Sequence, residues 1–564
     1  MIDSETVEKP YSWHFCCQAF FISFYCFKFH LLMAKTVVFI SQFSMKAMVH
    51  ISFGEDGPMA KYKPYNYSQR VMIPISLEDQ LMAGTLEFAI HTLVEDRMDI
   101  SVFEDRYNND ETGRWAYDPK VLLKVVLFAY SRGLISSRKM EGACRENITF
   151  MALTCGQCPD HSTIAAFVSS MRDEILPLFR DVLLVCEESH LLGGTLFALD
   201  GCKVPSNASK EWSGKILDLK RKKEKIEKQV KDLLRRQVEV DRKSGDEGET
   251  EEGGPLLDRA KQIERLKKNA KRIGRFLKEH GPRLGRQGKE VKSNVTDNES
   301  ANMMTSHGTI QGYNGQALVD SKHQVVVHAE AFGEGQDHYH IGPMMQGAKE
   351  NMEVLGYEGD YFEGKKLVAD SNYSSPANLS QCKAERLDAY IPDIRFRTRD
   401  ERFATQERWE SRRTKRFILE DFQYQKETDE YLCPNGKVLG RRAKRVIYDG
   451  VIYKRYIADR EDCIRCPLKN RCIKGNFVKG RYLGVPVGAT PGNLIKEMAA
   501  KVDTERGRNI YHQRIAVAEP VFANIKYGKG LDRFTLRGKI KVNIQWVLYC
   551  MVHNIGKILN FGFA

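Results

Sequence analysis

Two short apolar runs in this chain end on a carboxylate. In "TLFALDGCKV" (195–204) strand-forming residues lead to Asp200 and then Gly201, and in "KKLVADSNYSS" Leu367, Val368 and Ala369 lead to Asp370. Two carboxylates held together repel and cost energy unless a cation compensates them. Magnesium or manganese, hard ions that prefer carboxylate oxygen and water, are the natural occupants, and one further acid would complete a two-ion site. "YHQRIAVAEPVFANIKYGKG" offers that acid in Glu519, after Tyr511 and Arg514 and before Lys526. On a helix Glu519 and Lys526 share a face, so an acid for metal and a cation for phosphate would project together. Pro520 removes an amide there and either kinks the helix or starts it. A second chemistry is suggested by Cys433, Cys463, Cys466 and Cys472, spaced C-x29-C-x2-C-x5-C. One cysteine in a Cys-Pro-Asn-Gly turn and a cluster of three could close a tetrahedral thiolate site around one structural zinc. Reduced, the same four could equally pack as small hydrophobes, and both readings stand. Cys155 and Cys158 form a C-x-x-C with no second pair nearby and are read as incidental.

The elements that must carry these residues follow from periodicity and stop signals. From Ile75 to about Glu188 the pattern is helical with short loops. "DPKVLLKVVLFAYSRG" opens with Asp118 as N-cap and Pro119 at the first helical position, keeps Leu122, Val125, Val126 and Ala129 on one stripe, and stops at Gly133. After Leu191 the types change. Strands are expected in "GTLFALDG", at 308–320, at 323–332, in "KKLVAD" and in "AYIPD", with helices in "DHYHIGPMMQGAKENMEVLG" and "SSPANLSQCKAERL". The order β, β, β, α, β, α, β is that of a ribonuclease-H-like core in an α/β fold. In such a sheet the first and fourth strands lie side by side, which would bring Asp200 and Asp370 together. Residues 213–290 carry Ile226, Val230 and Leu233, then Ile263, Leu266, Ala270, Ile273 and Leu277, at three and four spacing. They predict a coiled-coil-like antiparallel helical hairpin with a disordered acidic, glycine-rich tip at 241–254.

Length and charge bound the rest. A chain of 564 residues is too long for one ordinary core and is expected to hold roughly two to four domains. Hydrophobic content of 42% with 29% charged residues fits a soluble globular protein. The net charge of +13 is unevenly spread: between Lys261 and Lys289 stand eleven Lys and Arg against Glu264 and Glu279. Such a block favours a polyanion, commonly nucleic acid, although a solvated helix face would look the same. Residues 1–58 include the apolar, aromatic stretch "FCCQAFFISFYCFKFHLLMAKTVVFISQF". Gln18, Lys28, His30, Lys35 and Gln42 interrupt it and no small-residue cleavage site follows, so it is read as an upstream-start extension, not an anchor.

The combination Asp200, Asp370 and Glu519 with Tyr511, Arg514 and Lys526 resembles the DDE transposases of bacterial insertion sequences, in the group with a Y-R-E-K signature around the third acid. The resemblance runs from about residue 65 to the end and includes "TDNESANMMTSHGTIQGYNGQ", "VADSNYSS" and "AEPVFANIK". Four residues separate Arg514 from Glu519, where the common signature has three. The resemblance implies a helical DNA-binding domain at 59–190, a ribonuclease-H-like catalytic core at 191–212 and 291–397, the hairpin insertion at 213–290, a β-rich insertion with the four cysteines at 398–500, and core helices carrying the third acid at 501–564. It implies a cytoplasmic enzyme that binds terminal inverted repeats and catalyses strand cleavage and strand transfer with two Mg2+ or Mn2+ ions held by Asp200, Asp370 and Glu519. Tyr511, Arg514 and Lys526 would contact DNA phosphates. Double-stranded DNA, at the element ends and at the target, is the expected partner. A homodimer in the DNA complex, no small-molecule cofactor and no membrane are expected with it. The alternatives are a ribonuclease-H-like nuclease without strand transfer and a catalytically inactive zinc-ribbon DNA-binding protein.

Overall fold

The computed structural model describes residues 74, 76–106, 115–244, 254–285, 288–306, 308–403, 417–448, 451–473, 480–487 and 491–562. The reading of 1–58 and most of the expected hairpin tip lie outside the described residues. Among those described, no helix is long and apolar enough to cross a membrane.

The first part of the fold is helical: α1 (Leu86–Thr92), α2 (Pro119–Ser131), α3 (Ser137–Glu146), α4 (Ile148–Leu153), α5 (His161–Ser170) and α6 (Ile175–Glu188). Side-chain caps set most of the starts. Thr85, Asp118, Asn147 and Asp160 each accept a backbone N–H from the first turn of the helix that follows. The caps satisfy donors that a helix start leaves unpaired. A single stripe was expected on α2, but all ten residues from Val121 to Tyr130 are buried. Lys124 tolerates this because its ammonium pairs with Glu95 at 2.9 Å. The second wall around α2 comes from the far end of the chain. Helix Lys539–Phe561 packs against α1, α2, α5 and α6, and Tyr549 stacks on Tyr130 at 4.5 Å.

The central sheet comprises β1 (Leu196–Pro205), β2 (Ala301–Thr305), β3 (Gly308–Asp320), β4 (Val326–Phe332), β5 (Lys366–Ala369) and β6 (Asp388–Tyr390). Its order is β2-β3-β1-β5-β6, and β4 also pairs with β3, beyond the stretch that β2 occupies. β1 is antiparallel to β3 and parallel to β5, and β5 is parallel to β6. Parallel neighbours need a crossover, supplied by α9 (Ile341–Val354) before β5 and α10 (Pro376–Ala384) after it; α7 (Ile216–Ser244) and α8 (Gly254–Glu279) precede them in the chain. The strand β2 was not foreseen. Its sequence, Ala-Asn-Met-Met-Thr, has one β-branched residue, and pairing with the start of β3 organises it. One apolar core runs through α1–α6, both faces of this sheet and the C-terminal helix.

Two appendages leave the core. α7 and α8 form an antiparallel hairpin whose seam buries Leu219, Val230, Ile263, Ala270, Ile273 and Phe276. Farther on, β7 (Gln423–Gln425), β8 (Glu430–Leu432), β9 (Val438–Tyr448), β10 (Val451–Ala458) and β11 (Tyr482–Pro486) make a separate antiparallel sheet in the order β11-β10-β9-β8-β7. The chain returns through α11 (Pro491–Asp503) to α12 (Glu505–Ala523) and ends in α13 (Lys539–Phe561). α12 packs against β1, β3, β5 and β6. Pro520 lies inside α12, neither starting nor ending it.

Candidate active site

β1 and β5 run parallel in the register Leu199 to Ala369, so Asp200 and Asp370 are the next residues of two adjacent strands. Asp200 Oδ1 accepts the N–H of Gly201 at 2.8 Å. A Cβ at Gly201 would stand 2.1 Å from Gln316 Nε2, so any larger residue there would have to displace the amide that crosses it from β3. Asp370 caps the turn that ends β5. Its Oδ1 accepts from Asn372 N at 2.8 Å and its Oδ2 from Asn372 Nδ2 at 3.0 Å.

α12 brings the third acid and its neighbours. Arg514 is 9% exposed, its Nη1 donates to Asp200 Oδ2, and its Nη2 lies 3.6 Å from Glu519 Oε1. The Glu519 side chain is 60% exposed, so it meets this ion pair from the solvent side. Tyr511 packs edge-on against Phe396 at 5.1 Å and lies within the field of Arg514 and Asp370. Lys526 sits in the wide turn Asn524–Gly528 that extends α12, and its charge acts on the thiol of Cys202, two residues beyond Asp200 on the same strand. The six residues singled out around the acids therefore converge at one end of the sheet. Pro520 leaves Ala516 O without its helical donor, and Gln324 Nε2 fills that role at 2.9 Å.

Electrostatics mark the place. Burial pushes the Asp200 carboxyl up to about 7; Arg514 opposes the shift, while Asp370 and Glu519 add to it. Burial also raises Asp370, against the Asn372 amide and with help from Asp337. Arg514 is raised despite its burial because Asp200, Tyr511, Asp370 and Glu519 surround it.

Asp337 was missed by the sequence reading. It is buried and accepts from Asn314 Nδ2 at 2.6 Å and Gln316 Nε2 at 2.8 Å, with His340 Nδ1 at 3.6 Å. Burial would raise it, but these partners and Lys203 hold it below the usual carboxylate range. Tyr373 donates its hydroxyl to Gln316 Oε1, closing a buried polar network beneath Asp200 and Asp370. A signal existed: Asn314 and Gln316 are two apart in the buried part of a strand, and buried amides need partners.

The cysteines lie elsewhere, at one end of the second sheet, where Cys433, Cys463, Cys466 and Cys472 line one cavity. Burial pushes the Cys463 and Cys472 thiols up, and the neighbouring cysteines add to it. Among the described residues, no group of three or more His, Cys, Asp or Glu is gathered to hold a metal ion. At the acids, Arg514 stands between Asp200 and Glu519 instead.

Comparison with known proteins falls on both ends of the described chain. Residues 75–170 match the family model of a transposase domain (DUF772), and residues 432–559, which include the cysteines, α12 and most of α13, match that of the transposase DDE domain. No curated protein matches the chain. The transposase DDE family typically uses a divalent metal, and a transposase family implies DNA binding. The two matches support a DDE-type transposase and, with it, transposase function.

Proposed function

We propose that this chain binds the terminal inverted repeats of an insertion sequence and catalyses metal-dependent strand cleavage followed by strand transfer, with Asp200, Asp370 and Glu519 as its acids. The observation that carries the reading is the meeting of those acids: Asp200, within β1 and not at its end, stands beside the parallel β5, whose last residue leads into Asp370, and Arg514 ties Asp200 to Glu519. The sheet order, with β1 between β3 and β5, supports a ribonuclease-H-like core at 191–212 and 291–397. On the same reading residues 59–190 are the end-recognition domain, 213–290 and 398–500 are insertions, 501–564 complete the core, and the active complex is a homodimer on DNA.

The donor set fits hard divalent cations. All three ligands are carboxylates, and Asp200, raised first by burial and then by Asp370 and Glu519 against Arg514 and the Gly201 amide, would gain from a cation beside it. Two bound Mg2+ or Mn2+ ions would activate a water or a DNA 3′-hydroxyl and stabilise the leaving oxygen. Asp200, Asp370 and Glu519 would hold the ions. Lys526 and Arg514 would hold phosphates near the scissile bond, and Tyr511 would position the strand. Most of the DNA affinity would come from Lys and Arg contacts to phosphate, including the 261–289 block.

The test is incubation of the protein with duplex DNA carrying the repeats that flank its coding region, with magnesium. Cleavage and joining of 3′ ends to a target are expected. Cleavage alone would indicate a nuclease of the same fold, and binding alone an inactive DNA-binding protein. Asp200→Asn keeps size but removes charge, so cleavage should fall by about 10³-fold or more, the loss of several kcal/mol of metal-borne stabilisation. The salt-sensitive gel shift should remain. Cleavage by D200N near the wild-type rate would make Asp200 a structural residue of β1.

A further inference from the structure

We propose that Cys433, Cys463, Cys466 and Cys472 bind one structural zinc ion that staples the five-stranded antiparallel sheet. The four come from three segments. Cys433 opens the β8–β9 hairpin turn, Cys463 and Cys466 lie in and just after the short helix Arg460–Ile464, and Cys472 ends the helix Lys469–Cys472. All four line one cavity of about 20 Å³, room for about one water-sized sphere.

The backbone around the thiols is built for sulfur carrying charge. The Cys433 turn closes with Gly436 N donating to Cys433 O at 2.8 Å and Cys433 N to Lys437 O at 2.9 Å, with Gly436 at φ 70°. That left-handed position favours glycine. The turn aims Lys437 N at Cys433 Sγ, 3.3 Å away, and Arg481 N points at Cys463 Sγ at the same distance. An amide donated to sulfur stabilises thiolate over thiol.

Charge on the cavity wall points the same way. Lys437, Lys469 and Arg481 line it, against Asp462, which pairs with Lys437 at 3.1 Å. Zinc held by four thiolates carries a net charge of about −2. Three cations with one acid leave a net positive wall that complements that charge. Arg481 also ties the segments together, its Nη1 donating to Cys472 O and its Nη2 to Phe417 O, each at 3.1 Å.

The sheet needs such a staple. Its core among the described residues is Phe422, Tyr431, Leu439, Tyr456, Ala458, Cys463 and Leu483. So small a core is marginal alone, and metal ligation is a usual supplement. In the ion-free chain the sulfurs line the cavity without gathering about one point. Zinc binding would draw them together, since binding and the last step of folding are coupled in small metal sites.

The experiment uses the full-length protein, and the probe is the metal itself. Elemental analysis should find about one zinc per chain, and the cobalt-substituted protein should show tetrahedral d–d bands with sulfur-to-cobalt charge transfer. C433S and C466S should lose both, while C155S/C158S and D200N keep them, which separates this site from the proposed catalytic acids. If the serine variants misfold, the cobalt spectrum of the wild-type protein still decides. Zinc-free wild-type protein, a cobalt spectrum without thiolate charge transfer, or zinc retained in C433S/C466S would overturn the proposal.

Discussion

Arg514 carries more of the site than its place in a signature suggests. It reaches Asp200 across 314 positions of sequence and leans toward Glu519, and it is the cation set against a buried carboxyl. In Arg514→Gln, Asp200 stays in its desolvated position without that charge and must bind a proton to remain there. Neutralisation limits the damage, so a loss of about 1–3 kcal/mol is expected in chemical denaturation, with cleavage falling alongside. An unchanged denaturation midpoint would show that the pair contributes nothing to stability. Arg514 and Glu519 are five apart on α12, and the guanidinium reaches to 3.6 Å from the Glu519 carboxylate.

At the scale of elements, α12 keeps a proline in its interior, where the usual cost is about 3 kcal/mol. Gln324 lowers that cost by donating to the freed Ala516 carbonyl, and its Oε1 accepts from Lys557 of α13 at 2.8 Å. The turn between β3 and β4 thus clamps both C-terminal helices. Restoring the amide with Pro520→Ala should raise stability by about 1–2 kcal/mol while lowering cleavage, because Glu519 is the adjacent residue and follows the helix. Gln324→Ala should cost about 1 kcal/mol, and less when Pro520 is already Ala. Costs that simply add in a double-mutant cycle would mean that Gln324 is not compensating for the proline.

For the molecule as a whole, acid sensitivity follows from two histidines kept neutral in the shared core. Burial lowers His328 to about 4, with Arg180 adding to it, and His553 to about 3, with Lys557 and Lys529 adding and the bond to Gln324 O opposing. Unfolded, both rings would take up a proton near pH 6.5. Between those values the unfolded chain binds more protons, so stability rises with pH. This contribution is complete above about pH 6.5 and is lost as pH falls toward 4 and then 3. In His553→Gln the slope of unfolding free energy against pH should drop by about one proton between pH 6 and 4. Other titrating groups, Asp200 among them, cancel in the difference. Parallel pH profiles would show that His553 is protonated in the fold.

Much of this was open to reading along the chain, because it depends on neighbours in sequence. Pro119 behind an Asp118 cap starts a helix wherever it lies, the runs into Asp200 and Asp370 are strand formers, although the first strand continues past Asp200 to Pro205, and the spacing on α7 and α8 makes a hairpin. Glu519 and its companions were picked out as a third acid with a cation on the same helix face, and the family resemblance then joined them to Asp200 and Asp370. Tertiary structure decided what depends on register and packing. It set Arg514 between Asp200 and Glu519, and it brought Asp337 under Asp200 and Asp370 through Asn314 and Gln316. It also wrapped α2 on all sides with a helix from the opposite end of the chain. Those contacts join residues far apart in sequence, and no local propensity carries information about which distant surface will cover a given side chain.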